Sequence, residues 1–468
     1  MTTKNVIKRI AIIEPAHSRN QVFGLTNMEL IGPILIGTVL RNSGYDVRVF
    51  REETVMDWPW IYKADIVGIS FITPLATRAY EIGDELKSRG IPVVMGGIHP
   101  TLCTEESLEH CDFVVRHEGE DAISELLDCL KRGGEGIDKI LGISYKNGGK
   151  IYHNNDRPFI EDLDAYPMPD FSLVSEIKKK SFLGKMLFCP MKPVFTSRGC
   201  TYNCTFCSVR VMFGGKYRAK STARVIDEIK DMIRFGSSFF FVDDNLGVDR
   251  GRLKELCQAI INERLSITWN AQVRADLSQD QEVLKLMSEA GCTRVHIGFE
   301  SADDVSLKAM GKRQSAGAAK VAVRAFHEAG IKVHAMFILG FDNDSVATFG
   351  KTLEFWKDIE ADTGHCAPLT MFPGTQDYKK MRDTGRLIPE MPWENMDMFS
   401  VTYRPKQMTP RELQEGLFWV MKRFYTFHYF LKNIFNEGIF ALKVYLYAKI
   451  TLWKAKIQMK DHLKKYDL

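Results

Sequence analysis

The stretch Gly199-Cys200-Thr201-Tyr202-Asn203-Cys204-Thr205-Phe206-Cys207 packs three cysteines into eight residues. It directly follows the apolar run 194–197, which reads as a strand, so the thiols sit on a loop leaving a strand C-terminus. Spaced four and then three apart, three thiolates on one tight loop can converge on three corners of a cubane iron–sulfur cluster. The fourth iron is then open to a small molecule. Structural zinc closes four ligands, usually as two separated pairs, and no second pair lies nearby, although a histidine or a distant cysteine could complete a set. Inert buried cysteines are the remaining alternative, and three in eight residues argue against it.

Outward from this loop the sequence alternates short apolar runs with helical patterns. Downstream, strands are expected at 239–242, 267–271, 294–299, 333–339 and 368–372. Helices are expected at 222–235, 250–262, 279–290, 316–329 and 346–358. Six such βα units suit a partial (β/α)6 barrel over 193–380, with chemistry at the strand C-termini. Upstream, 5–147 carries strand candidates at 9–13, 46–50, 65–70, 92–96 and 113–116, separated by amphipathic stretches. That pattern predicts an α/β, Rossmann-like, doubly wound parallel sheet. Residues 148–192 read as an extended connector, with Tyr166-Pro167-Met168-Pro169 and the basic run Lys178 to Lys180. Residues 381–468 read as a mostly helical, basic and aromatic C-terminal extension.

Composition narrows the class. The chain has 468 residues, 45% of them hydrophobic, with 63 Lys and Arg against 59 Asp and Glu. It is neither disordered nor disulfide-stapled, and its charge balance alone does not suggest nucleic acid. The first residues lead into a strand without a signal-peptide core, and apolar runs such as 30–40 are too short to span a bilayer. The expectation is a cytoplasmic protein in a reducing compartment. From Met421 onward, ten Lys and Arg stand against three Asp and Glu, with eleven aromatics. This stretch suits either a helix capping the barrel mouth or a peripheral contact with a membrane or lipid-like substrate.

Cys200, Cys204 and Cys207, with an aromatic before the last, resemble the CxxxCxxC signature of the radical S-adenosylmethionine (radical SAM) superfamily. The resemblance implies a 4Fe-4S cluster on these three cysteines. Its open iron chelates SAM, and one electron cleaves SAM to a 5′-deoxyadenosyl radical. Further similarities fall at successive strand ends, implying SAM contacts near Phe206, Asp243, Asp244, Arg274, Glu300 and Gly340. The usual Gly-Gly-Glu of the second strand is replaced by Asp243-Asp244-Asn245.

The N-terminal domain resembles the cobalamin-binding domain of one radical SAM class. Val67-Gly68-Ile69-Ser70, Gly96-Gly97-Ile98-His99-Pro100-Thr101 and Arg116-His117-Glu118-Gly119-Glu120 carry that likeness. Cobalamin would lie against Ser70, Thr73, Gly96, Gly97 and Glu118. The Asp-x-His-x-x-Gly cobalt-ligating motif is absent, with His17 and His99 in other contexts. Either cobalt is held without a protein histidine, which is the reading favoured, or the domain has lost the cofactor. A dinucleotide is the rival, but no Gly-x-Gly-x-x-Gly follows the first strand. The class implies methylation of an unactivated carbon, with one SAM remaking methylcobalamin and another supplying the radical. Alternatives are oxidative cyclisation, as in the anaerobic magnesium-protoporphyrin ester cyclase, or a sensor without turnover. A methylthiotransferase is set aside because Cys103, Cys111 and Cys129 do not form a second cluster set. A low-potential donor of flavodoxin or ferredoxin type and a small-molecule or lipid-like substrate complete the expectation. No catalytic side chain is singled out.

Overall fold

A computed structural model describes residues 7–16, 28–174 and 191–466. His17 and the run Lys178 to Lys180 lie outside the described residues. Two compact units make up the chain, the first centred on residues 30–174 and the second on 191–391 and 395–466.

The first unit is built on β1 (Arg9–Glu14), β2 (Asp46–Arg51), β3 (Ile66–Ser70), β4 (Val93–Gly96) and β5 (Phe113–Val115), joined by β6 (Ile143–Asn147) and β7 (Lys150–His153). Their order is β2-β1-β3-β4-β5-β6-β7. Alternate residues of the central strands feed separate cores. Ala11, Ile13, Val67 and Ile69 pack on one face, and Ile10, Ile12, Ile66 and Val94 on the other. Such two-sided burial is the signature of a parallel sheet covered by helices on both faces. The expected parallel pairing holds through β5. β6 and β7 then add antiparallel, an extension not expected from the sequence, so part of the expected connector is strand. Gly148 and Gly149, both with positive φ, turn that hairpin.

The second unit contains the six parallel strands β8 (Lys192–Val194), β11 (Ser238–Phe241), β12 (Thr268–Val273), β13 (Cys292–Glu300), β14 (Lys332–Leu339) and β15 (Thr363–Pro368). A two-stranded antiparallel ribbon, β9 (Ser197–Arg198) with β10 (Arg218–Ala219), closes the base of the cysteine loop. Val333, Ala335, Phe337 and Leu339 of β14 are buried. The alternate residues, including His334 and Met336, are only partly buried. The sixth strand lies earlier than the 368–372 expected, because the apolar run that suggested it falls beyond the strand.

Helices Pro410–Phe424, Phe427–Glu437 and Ile439–Lys465 form the C-terminal extension. The first starts on a Thr409/Glu412 capping box with Pro410 in its opening turn. Phe424 stacks on Trp356 with ring centres 3.6 Å apart. The Tyr425 hydroxyl meets both the N–H (3.1 Å) and the carbonyl (2.7 Å) of Gly364, and the Tyr429 hydroxyl donates to the Asp362 carbonyl. Side chains thus satisfy backbone groups along the β15 edge, where no further strand pairs among the described residues. The inner face of this region therefore packs along the β15 edge. Among the described residues, no helix is long and apolar enough to cross a membrane.

Candidate functional site

The cysteine loop begins at Gly199, whose φ of +85° and closeness to the Lys216 carbonyl admit no side chain. The loop is fixed at several points. Thr205 donates its N–H to the Met310 carbonyl and its hydroxyl to Asp377 (2.7 Å), and Cys207 N–H donates to the Cys204 carbonyl. Burial pushes the Cys207 thiol up to about 12, and the neighbouring thiolates add to the rise. Burial also raises Cys204, with the Lys312 ammonium opposing it. Cys204 and Cys207 are thus both raised further by charge on a neighbouring thiol. Bare thiolates in such a group repel, whereas bound metal would hold them ionised.

The aspartates after β11 divide their tasks. Asp243 is fully buried and accepts from the Thr196 N–H (3.0 Å), the Thr196 hydroxyl (2.8 Å) and the Ser197 hydroxyl. Asp244 accepts the Gly199 N–H at 2.9 Å, directly at the cysteine loop, and burial raises its carboxyl to about 6. Phe206 meets Phe341 edge to face. Arg274 lays its guanidinium over the Tyr202 ring and donates to the Arg313 carbonyl. Glu300 has a left-handed backbone, φ +64°, and pairs with Lys312 at 2.7 Å, both side chains nearly buried. At Gly340 the N–H donates to Asp344 and the carbonyl accepts from Tyr403. Phe206, Asp243, Asp244, Arg274, Glu300 and Gly340 therefore all sit at or just beyond strand ends. Lys312 and Tyr202 were not anticipated; each matters only through a contact distant in sequence.

In the first unit the strand order reverses between β1 and β3, where open α/β sheets bind ligands. Ser70 ends β3, and Thr73 opens the turn that follows. Gly96 ends β4, and Gly97, at φ +99°, would bring a Cβ to 2.8 Å from the Phe71 carbonyl oxygen. Glu118 is buried and accepts the Ile160 N–H at 2.8 Å, tying the chain after the hairpin to this end of the sheet. His99 is a buried ring bonded to the Tyr80 hydroxyl and packed edge-on against Trp393, and burial depresses its pKa to about 3. Glu14 ends β1, at the same end of the sheet, buried against Arg51.

A second cavity, of about 190 Å³, lies in the second unit. His296, His334 and His365, from three adjacent strands, form part of its wall. His334 and His365 share a 3.0 Å contact between ring nitrogens. Phe418, Phe440 and Tyr447 supply aromatic surface from the C-terminal helices.

Residues 194–355 match the family model for the radical SAM superfamily, and residues 31–127 match the B12 binding domain. An uncharacterized methyltransferase of Pyrococcus horikoshii is 30% identical over 94% of this chain and 97% of its own. The chain belongs to the radical SAM superfamily. An anaerobic magnesium-protoporphyrin IX monomethyl ester cyclase of Cereibacter sphaeroides is 28% identical over 78% of this chain and 61% of its own. The fold matches a solved structure of the radical SAM methyltransferase TsrM from Kitasatospora setae with cobalamin and a 4Fe-4S cluster bound. That match has a TM-score of 0.72 at 16% identity and covers 97% of this chain and 100% of that one.

This radical SAM enzyme has a 4Fe-4S cluster, SAM and cobalamin as its cofactors. The residues present fit them. Three thiols on a pinned loop are the donor set of a cubane with one open iron, and fall one short of a closed zinc site. At the other end, the close approach of Gly97 to Phe71 keeps side-chain bulk from the end of β4.

Proposed function

We propose that this chain is a cobalamin-dependent radical SAM methyltransferase acting on an unactivated carbon of an apolar small molecule. The match across nearly the whole of both chains to an uncharacterized methyltransferase carries the reading, whereas three cyclases are matched over 61%, 74% and 69% of their lengths. When bound, the cluster, SAM and cobalamin supply the electron, the hydrogen abstraction and the methyl group.

In this reading Cys200, Cys204 and Cys207 hold the cluster. Asp244 offers the acceptor for the SAM amino group, while Asp243 positions the loop through Thr196 and Ser197. Glu300, held by Lys312, and Arg274, held over Tyr202, face the SAM end of the barrel. The Phe206–Phe341 pair keeps water from the loop, and the Gly340 turn borders the adenine. Ser70, Thr73, Gly96 and Gly97 border cobalamin, and Glu118 steadies the chain beside it. Lys308 and Arg313, on a crevice beside residues 201–203, suit an acidic low-potential donor of the flavodoxin or ferredoxin type. The protein works in the cytoplasm, touching a membrane peripherally through its C-terminal segment.

The test is anaerobic reconstitution with iron, sulfide and hydroxocobalamin, then incubation with a reductant, cell extract and SAM labelled in its methyl group. The reading expects 5′-deoxyadenosine together with label in an apolar product. 5′-Deoxyadenosine with an oxidised, unlabelled product would favour cyclisation. SAM left uncleaved by cluster-loaded protein would favour a sensor.

A further inference from the structure

The helix Ile439–Lys465 is apolar on two opposite sides. Ala441, Val444, Ala448 and Leu463 are buried. On the opposite side Ile439, Leu442, Leu446, Ile450, Trp453 and Ile457 succeed one another at spacings of three and four, a single stripe of an α-helix. All but the half-buried Leu446 are exposed, Ile439 to 70% and Trp453 to 64%. At 3.6 residues per turn, Lys443 and Lys454 border one side of the stripe and Lys449, Lys456 and Lys460 the other. Seven lysines on this helix face one acid, Asp461.

Single exposed apolar residues are ordinary, but a stripe along a 27-residue helix is an interaction surface. We propose that this face docks on an anionic lipid bilayer. The helix would lie flat over about 40 Å, with Ile450 and Trp453 at the headgroup boundary and the lysines reaching lipid phosphates. The charge pattern selects this occupant over a second copy of the chain. A two-fold contact through the stripe would bring two lysine-bordered surfaces together with almost no acid to answer them. At 27 residues the helix is long enough to cross a bilayer but not apolar enough, so the proposal lays it on the surface. Its inner face lines the histidine-walled cavity through Val444, Ala448, Ala455 and Met459. The docking deepens the membrane contact of the proposed function and rests on that reading, yet vesicle binding is read without turnover, so the two can fail separately.

The test is co-sedimentation of the full-length protein with vesicles of phosphatidylcholine alone or mixed with phosphatidylglycerol. The wild-type protein is expected to pellet with the mixed vesicles and to be released by salt. A blue shift of tryptophan emission should accompany binding and shrink in Trp453→Phe. The triple variant Ile450→Ser/Trp453→Ser/Ile457→Ser, and separately Lys443→Gln/Lys449→Gln/Lys454→Gln, should each weaken partitioning at least about tenfold. Their folding is checked by a far-UV circular dichroism spectrum and a denaturant midpoint equal to those of the wild type, since the substituted side chains are exposed, Lys443 only partly. Wild-type protein that stays in the supernatant would overturn the proposal, as would a folded apolar-stripe variant that pellets unchanged. A wild-type dimer that this variant converts to monomer, without vesicle binding, would assign the stripe to a second copy instead.

Discussion

At Gly199 a methyl group would stand 2.0 Å from the Lys216 carbonyl oxygen, on a backbone already at φ +85°. Gly199→Ala is therefore expected to displace the loop start and cost more than about 2 kcal/mol. Iron per chain after anaerobic reconstitution should fall well below the wild-type value, and retained iron would show that the loop tolerates the shift. Glu300 and Lys312 allow a second test. Lys312→Met leaves the Glu300 carboxylate buried without its cation, which typically costs about 3–5 kcal/mol. Adding Glu300→Gln should recover much of that loss in denaturant unfolding, and additive effects would show that the pair is not coupled. Asp243 and Asp244 could not be told apart by sequence, because adjacent carboxylates at a strand end look equivalent until their partners are known. Lys312 was equally illegible, since its role depends on a bulge between Gly298 and Glu300.

Elements with a strong local signature were readable, while those defined by their neighbours were not. Helices 250–262 and 346–358 match their apolar periodicity, and the central strands of both sheets match their apolar runs to within a residue or two. β15 was misplaced because Thr363-Gly364-His365-Cys366 has weak strand character, whereas Leu369 to Phe372 is apolar but irregular. β7 was missed because all four of its residues are exposed, and β6 because its buried part is only Ile143 to Tyr145, with a serine in the middle. Only the Gly148-Gly149 pair signalled a turn. The histidine cluster left no local trace, since it draws one residue from each of three strands. The C-terminal helices carry their own prediction. Tyr425→Phe removes the hydroxyl that meets both backbone groups of Gly364 and should cost about 1–3 kcal/mol, read as a lower denaturant midpoint. An unchanged midpoint would mean that water replaces the hydroxyl at no cost.

Across the whole molecule, histidines set away from bulk water, His99 and His296 buried and His334 and His365 on the cavity wall, tie stability to pH. Burial lowers His99 and His296 to about 3 and His365 to about 4, and lowers His334 as well. Each stays neutral in the folded chain while the unfolded chain binds a proton below about pH 6.5. Their contribution is complete above that pH and is lost as pH falls toward the folded values, at up to about 1.4 kcal/mol per pH unit for each histidine. Anaerobic denaturant unfolding at pH 7 and pH 5.5 should show the loss, and His296→Asn should flatten it. Equal slopes in variant and wild type would remove His296 from the account. The tyrosine hydroxyls along β15 have a consequence of another kind. They occupy hydrogen-bonding positions that an incoming strand would otherwise use, and so act as a guard against misassembly. A chain ending before residue 410 would present that edge bare, and its first symptom would be insoluble aggregates, ahead of any failure of chemistry.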